Sequence, residues 1–312
     1  MMLLGLIPLA ASVLLALTSG ILSRRLSPGV AVALLTLLAL ATSVATGIVL
    51  CLAAFSALAR QPLVAAAGGW SRATWRSWDQ LPVGWGVLAA AVAAGLLAGA
   101  CVYLARATRE LVRASRACRR LVVGHHKLVI TRDERPTAYS VPAGTGAIVV
   151  STGMLRLLSA GERRALLAHE AAHLRHHHAS YLMLTQLAAA ANPLLRPLAR
   201  NVRLAVELWA DQVAADEVGD RRIVARALAR ASLAATRDEP SPSVAMAIAE
   251  TEVSARVRAL VGRPRRLYPV AVAAALTLTL ASSTTAVALT WATHRQIEIA
   301  QLAYMQAQVR AR

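Results

Sequence analysis

Acidic side chains, lysine and aromatic rings are all scarce in this chain. Of 312 residues, 16 are Asp or Glu against 34 basic ones, and Lys127 is the single lysine. Aromatics make up 4%, with one phenylalanine, while Ala, Leu and Val dominate the apolar content, a mixture that favours helices over sheets. Cys51 and Cys101 lie in apolar runs and Cys118 in a basic stretch. Their spacing fits neither a disulfide framework nor a cysteine zinc site, and they read as incidental thiols.

The apolar share is 57%, mean hydropathy is +0.52 and the formal net charge is +18. Such a charge suits either nucleic acid or anionic lipid. The arginines flank apolar runs and no nucleic-acid motif occurs, so the expected partner is the lipid surface, with no direct nucleic-acid contact. An arginine and alanine bias is also what genome composition alone produces.

Four uncharged apolar runs are long enough to cross a bilayer, which takes about 20 residues. They cover Met1 to about Leu22, about Gly29 to about Phe55, about Pro82 to Ala105, and about Tyr268 to Ala292. The first lacks a basic leader and a cleavage site, so it reads as a retained helix. The expected division is three N-terminal spans (1–105), a cytoplasmic domain (106–267), a fourth span (268–292) and a short external tail (293–312). The cytoplasmic assignment follows from the excess of Arg and Lys between spans three and four. Arg24 and Arg25 then fall inside, whereas Arg60, Arg72 and Arg76 fall outside, against the rule. Trp70, Trp75, Trp78 and Trp85 near them suit a membrane–water interface. Arg106, Arg109, Arg113, Arg116 and Arg120 follow span three at helical spacing, which predicts that this helix continues beyond the membrane.

Leu121–Val123, Leu128–Thr131, Ala138–Val141 and Ala147–Ser151 read as short strands. The last is either an edge strand that an extended substrate can join or an ordinary core strand. Ser159-Ala160-Gly161-Glu162 forms a capping box opening a helix to about His178. Another helix is expected from about Val202 to Val218, closed by Gly219, and the next is capped by Asp220. The fold class is therefore mainly α: a multi-pass membrane protein with about four transmembrane helices and a small α+β, zincin-like domain.

His169-Glu170-Ala171-Ala172-His173 lies on the first of those helices. Residues four apart share a helix face, so His169 and His173 can hold one zinc ion. Zinc lowers the pKa of a bound water towards ~7, and Glu170 is adjacent to take its proton. Downstream, Glu207 could complete a His-His-Glu set, and Asp211 could accept the second ring N–H of a ligand histidine. Arg203, one turn before Glu207, could steady substrate or an oxyanion. His176, His177 and His178 read as an exposed basic helix end, although His176 and His177, one turn beyond His173, could also lie near the site. His125 and His126 carry no clear signal. The apolar segment Tyr181–Leu195 contains Asn192-Pro193 and is short for a span. A crossing there would part Glu207 from the histidines, so it must lie on the surface, dip in and return, or pack inside the domain.

The chain resembles the BlaR/MecR-type membrane zinc metallopeptidases and, more distantly, the HtpX and CAAX-protease group. The resemblance rests on Ala147-Ile148-Val149-Val150-Ser151-Thr152-Gly153, on Leu166-Leu167-Ala168-His169-Glu170-Ala171-Ala172-His173, and on Glu207-x-x-Ala210-Asp211. It implies a gluzincin-like endopeptidase of the plasma membrane with a cytoplasmic catalytic domain. His169, His173 and Glu207 would hold Zn2+, Glu170 would be the general base, and Asp211 would support a ligand. The implied partners are a protein substrate such as a cytoplasmic transcriptional repressor, and a second copy of the chain. Quality control of membrane proteins and a non-catalytic receptor or scaffold are the alternatives. The S-x-x-K of the family's antibiotic sensors is absent, because Lys127 has Gly124 three positions before it.

Overall fold

A chain in an apolar environment must satisfy its backbone N–H and C=O groups internally, so long uncharged runs become helices. The computed structural model describes residues 4–79, 81–121, 128–142, 146–237, 244–262 and 269–310. After a short 3-10 turn come α1 (Ile7–Arg25), α2 (Pro28–Leu58), the short α3 (Pro62–Gly68) and α4 (Arg72–Trp78), and α5 (Val83–Leu121). A small sheet follows: β1 (Leu128–Thr131), β2 (Ala138–Val141) and β3 (Ala147–Ser151). Next are α6 (Thr152–Leu157), α7 (Ala160–Arg175), α8 (His178–Ala191), a 3-10 turn at Pro193–Leu195 and α9 (Arg196–Val218). The chain closes with α10 (Arg221–Arg237), α11 (Val244–Val261) and α12 (Pro269–Arg310). Among the described residues, four helical stretches are long and apolar enough to cross a membrane: Leu4–Arg25, Pro28–Leu58, Val83–Ala117 and Pro269–Arg310.

Several boundaries differ from the sequence expectation. Leu121 ends α5 instead of opening a strand, since the helical spacing of the arginines carries the helix that far; Val122 and Val123 lie outside the described residues, as do His125 and His126. The sheet order is β1-β3-β2, with β1 parallel and β2 antiparallel to β3. Ala147–Ser151 is therefore the central strand, and its backbone groups are taken on both sides. α9 begins at Arg196, earlier than expected, because Pro197 sits in its first turn, where a missing N–H costs nothing. Gly219 ends it in the left-handed region, at φ 76°.

The segment after α7 dips into the helical bundle and returns. α8 packs along α2 and α5, and α9 packs back along α1 and α2. Buried polar ties fasten this hairpin to the first two helices. At its tip Asn192 is 2% exposed, and its Nδ2 donates to Ser12 Oγ at 2.8 Å and Thr46 Oγ1 at 3.3 Å. Thr185 Oγ1 meets Thr36 Oγ1 at 2.9 Å, and Asn201 donates to Ser19 at 2.7 Å. Between these ties lies the largest apolar core, built from residues such as Leu15, Leu35, Leu198, Val202 and Val206.

The far end of the bundle is capped. Trp70 and Trp75 are buried with Ala59 and Ala300, against Phe55 and Trp78, so these rings pack on one another; Trp85 is exposed. α12 continues past Ala292, and its Ala300 carbonyl accepts from the Ser71 N–H. Arg60, one of the three arginines in the loop that the charge rule would disfavour outside, is paired with Asp79 at 2.9 Å.

Two tests follow from this packing. Asn192→Ala should lower stability by about 1–2 kcal/mol, the upper range for polar ties between membrane helices, read as thermal unfolding in detergent. The second concerns Glu162, which caps α7 through the Ser159 N–H and faces Arg226 and Arg230. Burial pushes its pKa up, but the Ser159 hydrogen bonds and the two arginines outweigh this and bring it below 4.5. Its ionic contribution is present above pH 4.5 and lost as pH falls through the depressed folded value. The Tm gap between wild type and Glu162→Gln should therefore narrow in acid.

Candidate metal centre

His169 and His173 project from one face of α7, and their Nε2 atoms are 3.1 Å apart. α9 packs against α7 and carries Glu207 to the same point. Its Oε2 is 3.5 Å from His169 Nε2, and its Oε1 is 3.8 Å from His173 Nε2. Among the described residues these three form the group that could hold a metal ion. The fit can be judged from size. A tetrahedral zinc ion with bonds of about 2.0–2.1 Å keeps its ligand atoms about 3.3–3.4 Å apart. Separations of 3.1 to 3.8 Å match that spacing, and two imidazoles with a carboxylate are a donor set zinc accepts.

Around the three lies a supporting layer. Asp211, one turn beyond Glu207 and 2% exposed, places Oδ1 3.0 Å from His169 Nδ1. Asp211 thus holds the Nδ1–H tautomer of His169 and leaves Nε2 pointing at Glu207. Glu170 is buried beside the set and hydrogen-bonded by Ser140 of β2; burial raises its pKa.

Arg256, on α11, was not singled out from the sequence. Its Nε and one terminal nitrogen fork onto Asp211 at 2.8 and 2.7 Å. Its other terminal nitrogen is 3.1 Å from Glu207 Oε2. In a chain with 34 basic residues, no local signal marks this one out. Arg203 is exposed on α9 and, among the described residues, makes no hydrogen bond or ion pair with the set.

The histidine run also departs from expectation. His177 is exposed and adopts φ 52°, a left-handed turn that starts α8 in a new direction. His176 is half-buried and stacks on Trp209 at 4.6 Å. His178 is fully buried, with Nδ1 3.0 Å from His173 Nδ1. An exposed helix end would have kept all three in water; the turn at His177 folds the third one inward.

The electrostatics follow from this crowding. Burial works against charge at His169, but hydrogen bonds to Asp211 and Glu207 hold its pKa up at about 9. Burial and then the His169 charge press His173 down to about 4. Burial opposes ionisation of Glu207 and Asp211, yet His169 and Arg256 bring both to about 2. Without an ion, the carboxylates of Glu207 and Asp211 thus face the His169 imidazolium and the Arg256 guanidinium.

Two histidines four apart on one helix, facing an acidic partner helix, are a spacing that metal sites use. The family model for peptidase family M48 matches residues 102–192. That stretch includes the sheet, α7 and α8 and stops before Glu207. No curated protein and no solved structure matches the chain. Peptidases of family M48 are generally zinc-dependent, so the match points to zinc metallopeptidase chemistry.

Removing Arg256 would leave the buried carboxylate of Asp211 and the half-buried one of Glu207 short of a counter-charge. Arg256→Ala should cost on the order of 3–5 kcal/mol, and Arg256→Lys should recover part of this, since an ammonium cannot fork across two carboxylates. Thermal unfolding of the detergent-solubilised variants checks both.

Proposed function

We propose that the chain is a membrane-embedded, zinc-dependent endopeptidase that cleaves a protein substrate. The observation that carries this reading is the convergence of His169, His173 and Glu207 at zinc-ligand spacing with Glu170 buried alongside. His169, His173 and Glu207 would hold the ion, and Asp211 would fix the orientation of His169. Zinc, when bound, supplies a Lewis acid and lowers the pKa of water towards ~7.

The remaining chemistry belongs to side chains. Glu170 takes a proton from the attacking water and returns it to the leaving amine nitrogen. Substrate placement shifts from β3 to β2. Among the described residues β2 has a strand neighbour on one side only, and its Ser140 touches Glu170. An extended peptide added to that edge would pass beside the carboxylate.

The resemblance to BlaR/MecR-type proteins supports a cytoplasmic catalytic domain at the plasma membrane, with a repressor as substrate in a signalling step. A second reading, turnover of defective membrane proteins, draws on the packing of α9 against α1 and α2, which sets Glu207 on a helix of the apolar bundle.

Glu170→Gln tests the enzyme reading. Purified in detergent, it should keep wild-type zinc content and lose at least about 100-fold in peptide cleavage, the scale of a general base. Unchanged cleavage would exclude Glu170 as the base. Proteins that accumulate in cells carrying the variant separate a single regulatory substrate from a broad membrane set.

A further inference from the structure

Ring nitrogens form a chain from the metal-ligand set into the protein interior. His173 Nε2 faces His169 and Glu207, so Nε2 is its ligand atom and must carry a lone pair. A neutral imidazole then bears its proton on Nδ1. That Nδ1 lies 3.0 Å from His178 Nδ1, and one proton must sit between the two. His178 Nδ1 is therefore the acceptor, and the proton of His178 resides on Nε2. His178 Nε2 is buried without a hydrogen-bond partner among the described residues, so none of them fixes the opposite tautomer.

The surroundings keep His178 in that role. Its ring is fully buried, edge-on to His173 at 4.8 Å, and packed by Trp209 at 4.8 Å and His176 at 5.9 Å. The left-handed turn at His177 brings it there, and a non-glycine residue occupies such a conformation only when the structure around it compels it.

We infer that His178 is a positioning residue for the metal centre, accepting the Nδ1–H of His173 as Asp211 accepts that of His169. This rests on the metal-site reading above and extends it to a residue outside the His-Glu-His set. The two ligand histidines are then held by different acceptors, a carboxylate on one and a neutral ring on the other.

The test uses the full chain in detergent, stripped of metal, with zinc affinity measured by chelator competition and Co2+ absorption reporting ligand geometry. Loss of such a supporting partner weakens metal binding by about 10–100-fold, so His178→Ala should fall in that range. His178→Asn and His178→Asp place an oxygen acceptor at the position of Nδ1 and should restore most of the affinity and the Co2+ spectrum. If His178 only filled space, the order would invert, with Ala tolerated and the buried charge of Asp worst. Wild-type affinity in His178→Ala, an Asp variant weaker than Ala, or loss of folding in all three variants overturns the inference. Should His178→Ala alone fail to fold, the Asn and Asp variants decide, wild-type-like affinity supporting the role and its loss overturning it. A wild-type chain that binds no zinc sinks the metal-site reading itself, whereas normal wild-type binding with indifference at position 178 sinks only this step.

Discussion

The hydrogen bond between His169 and Asp211 fastens α7 to α9 at a point where both helices bury charge. Everything at the centre depends on that contact. It fixes the ring of His169, aligns Glu207 one turn away and gives Arg256 a carboxylate to fork onto. Buried ionic groups are costly unless each is paired, and here every charge has an opposite neighbour. The pairing is also specific. A slip of α9 by one residue would turn Glu207 off the shared face and leave Asp211 without its imidazole.

The parts of this arrangement readable in the sequence are those governed by short-range periodicity. His169 and His173 share a face because they are four apart, and so do Glu207 and Asp211; the acids stand out on a helix whose neighbouring positions are apolar. The four long apolar runs are equally plain, as is the Ser159–Glu162 capping box. What could not be read depends on contacts between distant segments. Nothing near Arg256 distinguishes it from the chain's other arginines, and its meaning comes only from α11 crossing α9. His178 looked solvent-exposed because a continuous helix would have left it so; the left-handed turn at His177 changes its direction. The centrality of β3 likewise follows from β1 and β2 flanking it, which strand propensity does not encode.

The cap at the far end of the bundle shows the same division. The arginines between α2 and α5 conflicted with the charge rule as a simple count. Arg60 is withdrawn from that count by its pairing with Asp79 and by donating to the Leu81 carbonyl. Similarly, the tryptophans near that loop suited a membrane–water interface, and composition did not show that Trp70 and Trp75 form a small core with the far end of α12. Composition located these residues without revealing what they would bury against.

The hairpin of α8 and α9 has a consequence for how the chain tolerates insertions and deletions. Its tip is anchored through Asn192, and its two arms lead back to His178 on one side and Glu207 on the other. Each residue of helix advances about 1.5 Å and turns about 100°. A change that shortens both arms equally would raise the tip and spare the ligand set. Removing one residue from a single arm would instead slide and rotate one half of the set against the other. The ligand atoms stand only 3.1 to 3.8 Å apart, and a displacement of that size would pull them out of reach of one ion. Arm lengths in this hairpin are therefore constrained as a pair, like the two legs of a caliper.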